Sequence, residues 1–203
     1  MDWTLTLDIV GTVIGLVYLW LEYRASIWLW LAGVIMPIVN AWLYYSRGLY
    51  ADFGMESYYV LAAIYGYLMW RRGKRHDTGE RASSDIADDI RHASARAIMG
   101  ILAAIMVAWG ALYWFLSTCT DSTVPILDSL TTAVSIVAMW ALAQKYVEQW
   151  LLWFVVDLVC TGLYVYKGIP FHGVLYGFYT VMAIIGYRKW HHMALASREG
   201  LQA

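Results

Sequence analysis

Apolar residues run through the chain in seven blocks bounded by charges or by Gly/Pro turns: Leu7–Leu21, Ile27–Tyr45, Gly54–Trp70, Ala97–Leu116, Val124–Ala143, Val147–Tyr166 and Gly173–Tyr187. Seven such runs have no polar outer face, so they predict spanning helices, not the helices of a soluble core. Each approaches the ~20 residues that cross ~30 Å of hydrocarbon, and the shorter ones suit tilted or cavity-lining helices. The connections Glu22–Ser26, Ser46–Phe53 and Lys167–His172 leave no room for another domain. Arg71–Arg96 is the long polar stretch, expected as a solvated loop or short surface helix. The pattern predicts an all-α integral membrane protein with seven transmembrane helices.

Composition removes the competing classes. Of 203 residues, 61% are hydrophobic and 14% charged, whereas a soluble domain runs nearer half and a quarter. A net charge of −1 gives no electrostatic footprint for nucleic acid. Two cysteines are too few for a disulfide scaffold, and Cys119 and Cys160 are expected at different depths and unpaired. Met1–Leu5 has no basic leader region and no small-residue cleavage site follows, so the first helix is expected in the mature fold.

The basic residues orient the chain. With the carboxyl end cytoplasmic, the inside carries Arg24, Arg71, Arg72, Lys74, Arg75, Arg81, Arg91, Arg96, Lys145, Arg188, Lys189 and Arg198, and the outside only Arg47 and Lys167. That asymmetry is what the positive-inside rule expects, and it puts the amino end outside.

A shift of 120 positions aligns the first three runs with the last three without a gap. Leu7-Asp8 meets Leu127-Asp128, Trp20 meets Trp140, Trp30 meets Trp150, Gly66-Tyr67 meets Gly186-Tyr187 and Trp70 meets Trp190; about a quarter of the paired positions are identical. Composition bias scatters Leu, Val and Ala matches, but it does not pair Trp, Gly and Asp in one register. The organisation read from this is a first repeat at 7–70, a cytoplasmic loop at 71–96, a connecting helix and loop at 97–126, a second repeat at 127–190 and a tail at 191–203. Three helices is an odd number, so the connecting helix returns the second repeat to the orientation of the first. The result is a 3+1+3 architecture with two parallel three-helix repeats, the arrangement of small SWEET-like carriers, with substrate expected near mid-membrane at the repeat interface.

Four carboxylates lie within or at the edge of apolar runs: Asp8, Glu56, Asp128 and Asp157. A charge at the bilayer centre costs about 2.5–3.5 kcal/mol even on the permissive insertion scale, so such groups pair or line cavities. Asp8 and Asp128 occupy first-turn positions that favour a carboxylate through the helix dipole. Asp157 sits midway through its run, with no Lys or Arg beside it. Trp150, Trp153 and Asp157 stand at i, i+3 and i+7, on one helix face. An aromatic stripe ending in a carboxylate suits a flat organic cation through stacking and cation–π attraction; packing or interfacial anchoring is the competing reading for the Trp residues. Asn40 either faces the same cavity or bonds between helices. The candidate substrate-binding set is Trp30, Asn40, Glu56, Trp150, Trp153 and Asp157.

Other chemistries lack their residues. There is no phosphate-binding G-x-x-x-x-G-K-[ST] loop, all four lysines lie at helix ends or in loops, and the five histidines lie outside helix centres. His191-His192 reads as a tail feature. No nucleophile–base pair is apparent, so an enzyme is not expected, nor a cofactor or a metal.

The stretch Leu127-Asp128-Ser129…Val134-Ser135-Ile136-Val137-Ala138, followed by Lys145-Tyr146-Val147-Glu148-Gln149-Trp150-Leu151-Leu152-Trp153, resembles the PnuC family of vitamin transporters. In the first repeat, Val10-Gly11-Thr12-Val13-Ile14-Gly15-Leu16, Gly48-Leu49-Tyr50-Ala51 and Ile64-Tyr65-Gly66 with Trp70 agree, so the resemblance covers about Ile9 to Trp190. It implies facilitated diffusion of a vitamin across the bacterial inner membrane, trapping of the product by a cytoplasmic kinase that need not touch the carrier, and a homotrimer. Family members that carry nicotinamide riboside typically have Asn at the place of Asp157 and near Met36, Gln at Glu56, and Asn at Ala63 and Ile185. With acids at two of these positions, this chain is similar to the thiamine-carrying PnuT branch. Thiamine is a cation and is the expected substrate, with nicotinamide riboside as the alternative; neutral riboflavin gains little from a buried acid. The expected mechanism stacks the vitamin between Trp150, Trp153 and aromatic residues of the first repeat such as Trp30, with Asp157 and Glu56 supplying charge, before the two bundles rock about the fourth helix. A substrate-binding subunit or a sensor without independent transport is the competing class.

Overall fold

The structure, a computed structural model, describes residues 3–46, 50–73, 89–120, 124–166, 168 and 170–200. Of the residues singled out above, the Asp8 and Met36 side chains, Arg47, Lys167 and the basic residues within 74–88 lie outside the described set.

Seven helices account for nearly all described residues: α1 (Trp3–Tyr23), α2 (Trp28–Ser46), α3 (Tyr50–Gly73), α4 (Ala95–Cys119), α5 (Pro125–Ala143), α6 (Gln149–Tyr166) and α7 (Pro170–Gly200). α4, α5 and α6 are long and apolar enough to cross a membrane, and Thr12–Tyr23 and Trp28–Trp42 are shorter apolar helical stretches. In a bilayer the backbone can satisfy its polar groups only internally, which is why apolar runs of this length close as helices. Local signals set their ends. Ser94 caps α4 by accepting from the Ala97 amide at 3.2 Å, and Pro125 opens α5 in the first turn, where no amide partner is needed. Pro37 lies inside α2, where it removes one intrahelical hydrogen bond.

The chain divides into two compact units, Met1–Asp88 and Asp89–Ala203. In the first, α2 packs on both α1 and α3; in the second, α5 joins α4 to α6, and α6 packs along α7. The seam of α4, α5 and α6 is an apolar cluster of Ile101, Ile105, Val134, Val137 and Val156, with Trp153 and Cys160 against it. Much of α4 is exposed and apolar, including Met99, Met106, Val107 and Trp114, as a lipid-facing helix requires. Among the described residues neither Cys119 nor Cys160 is joined in a disulfide.

α1 and α5 end alike. The Ser26 amide reaches the Leu21 carbonyl and the Ala25 amide that of Glu22, both at 2.9 Å. At the other turn, Tyr146 reaches Ala141 at 3.0 Å and Lys145 reaches Leu142 at 2.9 Å. This is the Schellman closure, which needs a left-handed residue just past the helix. Ala25 (φ 51°) and Lys145 (φ 58°) supply it although neither is Gly.

Candidate functional site

Each unit has a Trp–Gly–Trp lock. In the first, a Cβ on Gly66 of α3 would fall 2.3 Å from the Trp30 ring of α2, so only a hydrogen leaves room for the indole against the backbone. Trp70, one turn farther on, meets Trp30 edge-on at 5.5 Å and 88°. In the second, a Cβ on Gly186 of α7 would fall 2.6 Å from the Trp150 ring of α6, and Trp190 meets that ring at 5.9 Å and 84°. All four indoles are fully buried. Small residues let membrane helices approach closely, and Ala63 and Ala183, one turn before each glycine, are buried on the same faces. Trp30 and Trp150 therefore sit as packed core rings against their own helix partners.

Of the candidates in the first unit, the structure brings Asn40 and Glu56 together: the Asn40 amide donates to Glu56 Oε1 at 3.1 Å, joining α2 to α3. The bond draws a carboxylate and an amide into one polar couple inside an apolar pair of helices, where an unpaired carboxylate is costly.

In the second unit Asp157 is buried on α6, at 7% exposure. Its backbone carbonyl accepts from Thr161 Oγ1 at 2.7 Å. Among the described residues its carboxylate has no hydrogen-bond partner and no cation beside it. Tyr176 and Tyr179 of α7 lie within electrostatic range of it. Tyr176 stacks on Tyr164 of α6 with centroids 5.2 Å apart and planes 24° apart, and Tyr164 also meets His172 at 5.2 Å. A rank of aromatic rings thus lies along the α6–α7 seam beside the acid. Trp153 packs against the α4–α5–α6 cluster, and its indole N–H is buried without a hydrogen-bond partner among the described residues. Asp128 is in the first turn of α5.

Sequence reasoning missed the Tyr164–Tyr176–Tyr179 cluster, because its rings come from two helices and no spacing within one run reveals them. It also missed Gln149, fully buried at the start of α6 with neither end of its amide bonded among the described residues. A signal was available there: Gln149 stands where the first repeat has the apolar Leu29. Two shallow grooves, of about 550 Å³ along α2 and α3 and about 540 Å³ on the second unit, are lined almost wholly by apolar side chains such as Ile38, Trp42, Leu61, Leu158 and Tyr166. They offer no polar partner set for a vitamin.

Comparison with known proteins bears on this geometry. The family described as nicotinamide mononucleotide transporter matches residues 5–192. The riboflavin/roseoflavin transporter RibM of Streptomyces davaonensis is 31% identical over 90% of this chain and 83% of its own. The nicotinamide riboside transporter PnuC of Escherichia coli is 25% identical over 93% of this chain and 86% of its own, and that of Neisseria mucosa is 27% identical over 89% and 70%. A crystal structure of the vitamin B3 transporter PnuC superposes with a TM-score of 0.70 at 26% identity, covering 93% of this chain and 81% of that one. These relatives carry riboflavin or nicotinamide riboside by name, and they lend no support to the thiamine branch. With seven helices, three of them long and apolar enough to cross a membrane, a family match over nearly its whole length and a solved relative of the same fold, the chain belongs to the PnuC family of vitamin-type membrane transporters.

Proposed function

We propose that this chain carries nicotinamide riboside by facilitated diffusion across a bacterial inner membrane, amino end outside and carboxyl end in the cytoplasm. The observation that carries the choice is the likeness to relatives named as nicotinamide riboside or vitamin B3 transporters; Asp157, which stands where such carriers typically have Asn, is a buried carboxylate with no cation beside it among the described residues. The pyridinium of nicotinamide riboside is a flat cation that supplies the missing charge, and the rings beside the acid offer stacking and cation–π attraction of about 0.5–2 kcal/mol each. Asp157 and Trp153, joined by Tyr176 and Tyr179, are the residues proposed to meet the pyridinium. Asn40 and Glu56 are proposed as substrate-binding residues of the first unit. Trp30 and Trp150 hold the helices that carry these groups. A 3+1+3 organisation, two three-helix repeats (α1–α3 and α5–α7) separated in sequence by α4, is part of the proposal and draws support from the shared Trp–Gly–Trp lock. Accumulation would come from phosphorylation of the imported riboside by a cytoplasmic kinase, and the family resemblance adds a homotrimer.

Thiamine is the second reading, favoured by the same acid because it too is a flat cation. The test is uptake of labelled nicotinamide riboside by the purified chain in liposomes, with excess unlabelled thiamine or riboflavin as competitors. Saturable uptake suppressed by neither competitor supports the proposal. Suppression by thiamine favours the second reading, and suppression by riboflavin removes the role given to Asp157. Binding without uptake would make the chain a substrate-binding subunit or sensor.

A further inference from the structure

Six residues before α4 form a polar strap across the second unit. The Arg91 amide donates to the Lys145 carbonyl and the Val147 amide to the Arg91 carbonyl, both at 3.1 Å, so the strap pairs with the α5–α6 turn as a short parallel bridge. Lys145 Nζ lies 2.7 Å from Asp89, and the Arg91 guanidinium covers the Tyr146 ring at 5.3 Å. Glu148 holds the strap from the turn: its Oε2 accepts from the Ala93 amide and its Oε1 from His92 Nδ1, each at 2.8 Å. On the opposite edge of the same imidazole, His92 Nε2 lies 2.9 Å from Nδ1 of His191 on α7. The equivalent turn of the first repeat has Ala25 at the place of Lys145 and Trp28 at the place of Glu148, so this fastening belongs to the second unit alone.

Proton count decides whether the last link holds. With Nδ1–H committed to Glu148, neutral His92 offers a lone pair at Nε2, and neutral His191 donates to it from Nδ1. One added proton is shared between the rings and keeps the hydrogen bond, beside the negative Glu148. A second proton leaves both facing nitrogens as N–H donors, two cations in contact with no acceptor between them. Histidine is the side chain that makes this change between about pH 5 and pH 8. Among the described residues, the other groups facing them do not supply an acceptor to replace the lost bond: on the strap Asp89 is engaged by Lys145 and Arg91 by Tyr146. On α7, Tyr187 stacks on His191 at 6.1 Å and 7°, and His192 meets it edge-on, while Arg188 and Lys189 add positive charge on the preceding turn.

We infer that Glu148–His92–His191 is a protonation-operated latch: it fastens the strap to α7 at neutral pH and lets the strap part from α7 when both rings are charged. A consequence for uptake rests on the transport reading above; the latch itself does not, so it is tested without substrate. Spin labels on cysteines placed at Arg96 and Ala196, both exposed, in the full chain with Cys119→Ser and Cys160→Ala, report the distance between the start of α4 and α7. The expected result is one short distance at about pH 8 and growth of a longer population towards about pH 5. His191→Gln can still donate an amide hydrogen to His92 but cannot charge, and it should hold the short distance across the whole range. His191→Ala should show the longer population at every pH. An unchanged distance in the parent chain on acidification, or the same lengthening in His191→Gln as in the parent, would overturn the latch.

Discussion

At the α1–α2 turn and at the α5–α6 turn the backbone repeats itself. Ala25 and Lys145 take the same left-handed conformation and close the same pair of hydrogen bonds, after which Trp30 or Trp150 seats itself on a glycine of a later helix. The side chains then diverge. Where the second unit carries Trp153 and Asp157 on α6, the equivalent positions of α2 are Gly33 and Pro37, and the Tyr18 ring fills the space where a Cβ on Gly33 would stand, 2.9 Å from it. Where the first unit pairs Asn40 with Glu56, the second has Cys160 and Tyr176. Helix-locking contacts are duplicated, as is the acid at positions 8 and 128, but Asp157 and the Asn40–Glu56 pair are not. A substrate has no symmetry to match, so the positions free to differ are those available for recognising it.

The lock is where perturbation should cost most. Trp190→Ala in the second unit and Trp70→Ala in the first should each lose about 3–5 kcal/mol, the range for emptying a buried aromatic site, read as a fall in the thermal midpoint in detergent. A large loss in one unit only would break the likeness between them. Gly186→Ala and Gly66→Ala come next. The added methyl must push an indole off the backbone, at about 1–3 kcal/mol, with the tighter Gly66 site losing more. Asp157→Asn should weaken nicotinamide riboside binding about tenfold or more, or ~1.4 kcal/mol, and leave the thermal midpoint unchanged or raised, because the buried carboxylate has no partner to lose among the described residues. Asn40→Ala should cost stability instead, about 1 kcal/mol, since it removes the Asn40–Glu56 hydrogen bond between α2 and α3. The smallest effect is a gain: Ala25→Gly relieves a left-handed residue with a Cβ and should raise stability by less than about 1 kcal/mol.

Much of the fold was legible in the chain. Apolar runs gave seven helices, because a membrane demands internal hydrogen bonding and uniform apolarity, and each observed helix overlaps the run that predicts it. The 120-residue register paired Trp30 with Trp150 and Gly66 with Gly186 before any geometry was available. It did not reveal that each Trp seats on its own unit's Gly, since that contact depends on how two helices pack. The candidate site was legible only as single residues. Asp157 announces itself by lying alone in an apolar run, but the Asn40–Glu56 bond spans 16 positions and the His92–His191 link 99. Contacts at such separations come from tertiary packing, which no local period encodes. His191 illustrates the limit: it looks like part of a polar tail, yet α7 continues as helix to Gly200 and holds the ring against His92.

The central claim is that a flat cationic vitamin finds its counter-charge on α6. Trp153 lies one turn before Asp157, so quenching of intrinsic Trp fluorescence in the purified chain reads it directly, with nicotinamide riboside, thiamine and riboflavin titrated in parallel. Saturable quenching at the lowest concentration by nicotinamide riboside, lost in Asp157→Asn, is the predicted result. Tighter binding of riboflavin, indifferent to Asp157→Asn, would contradict it.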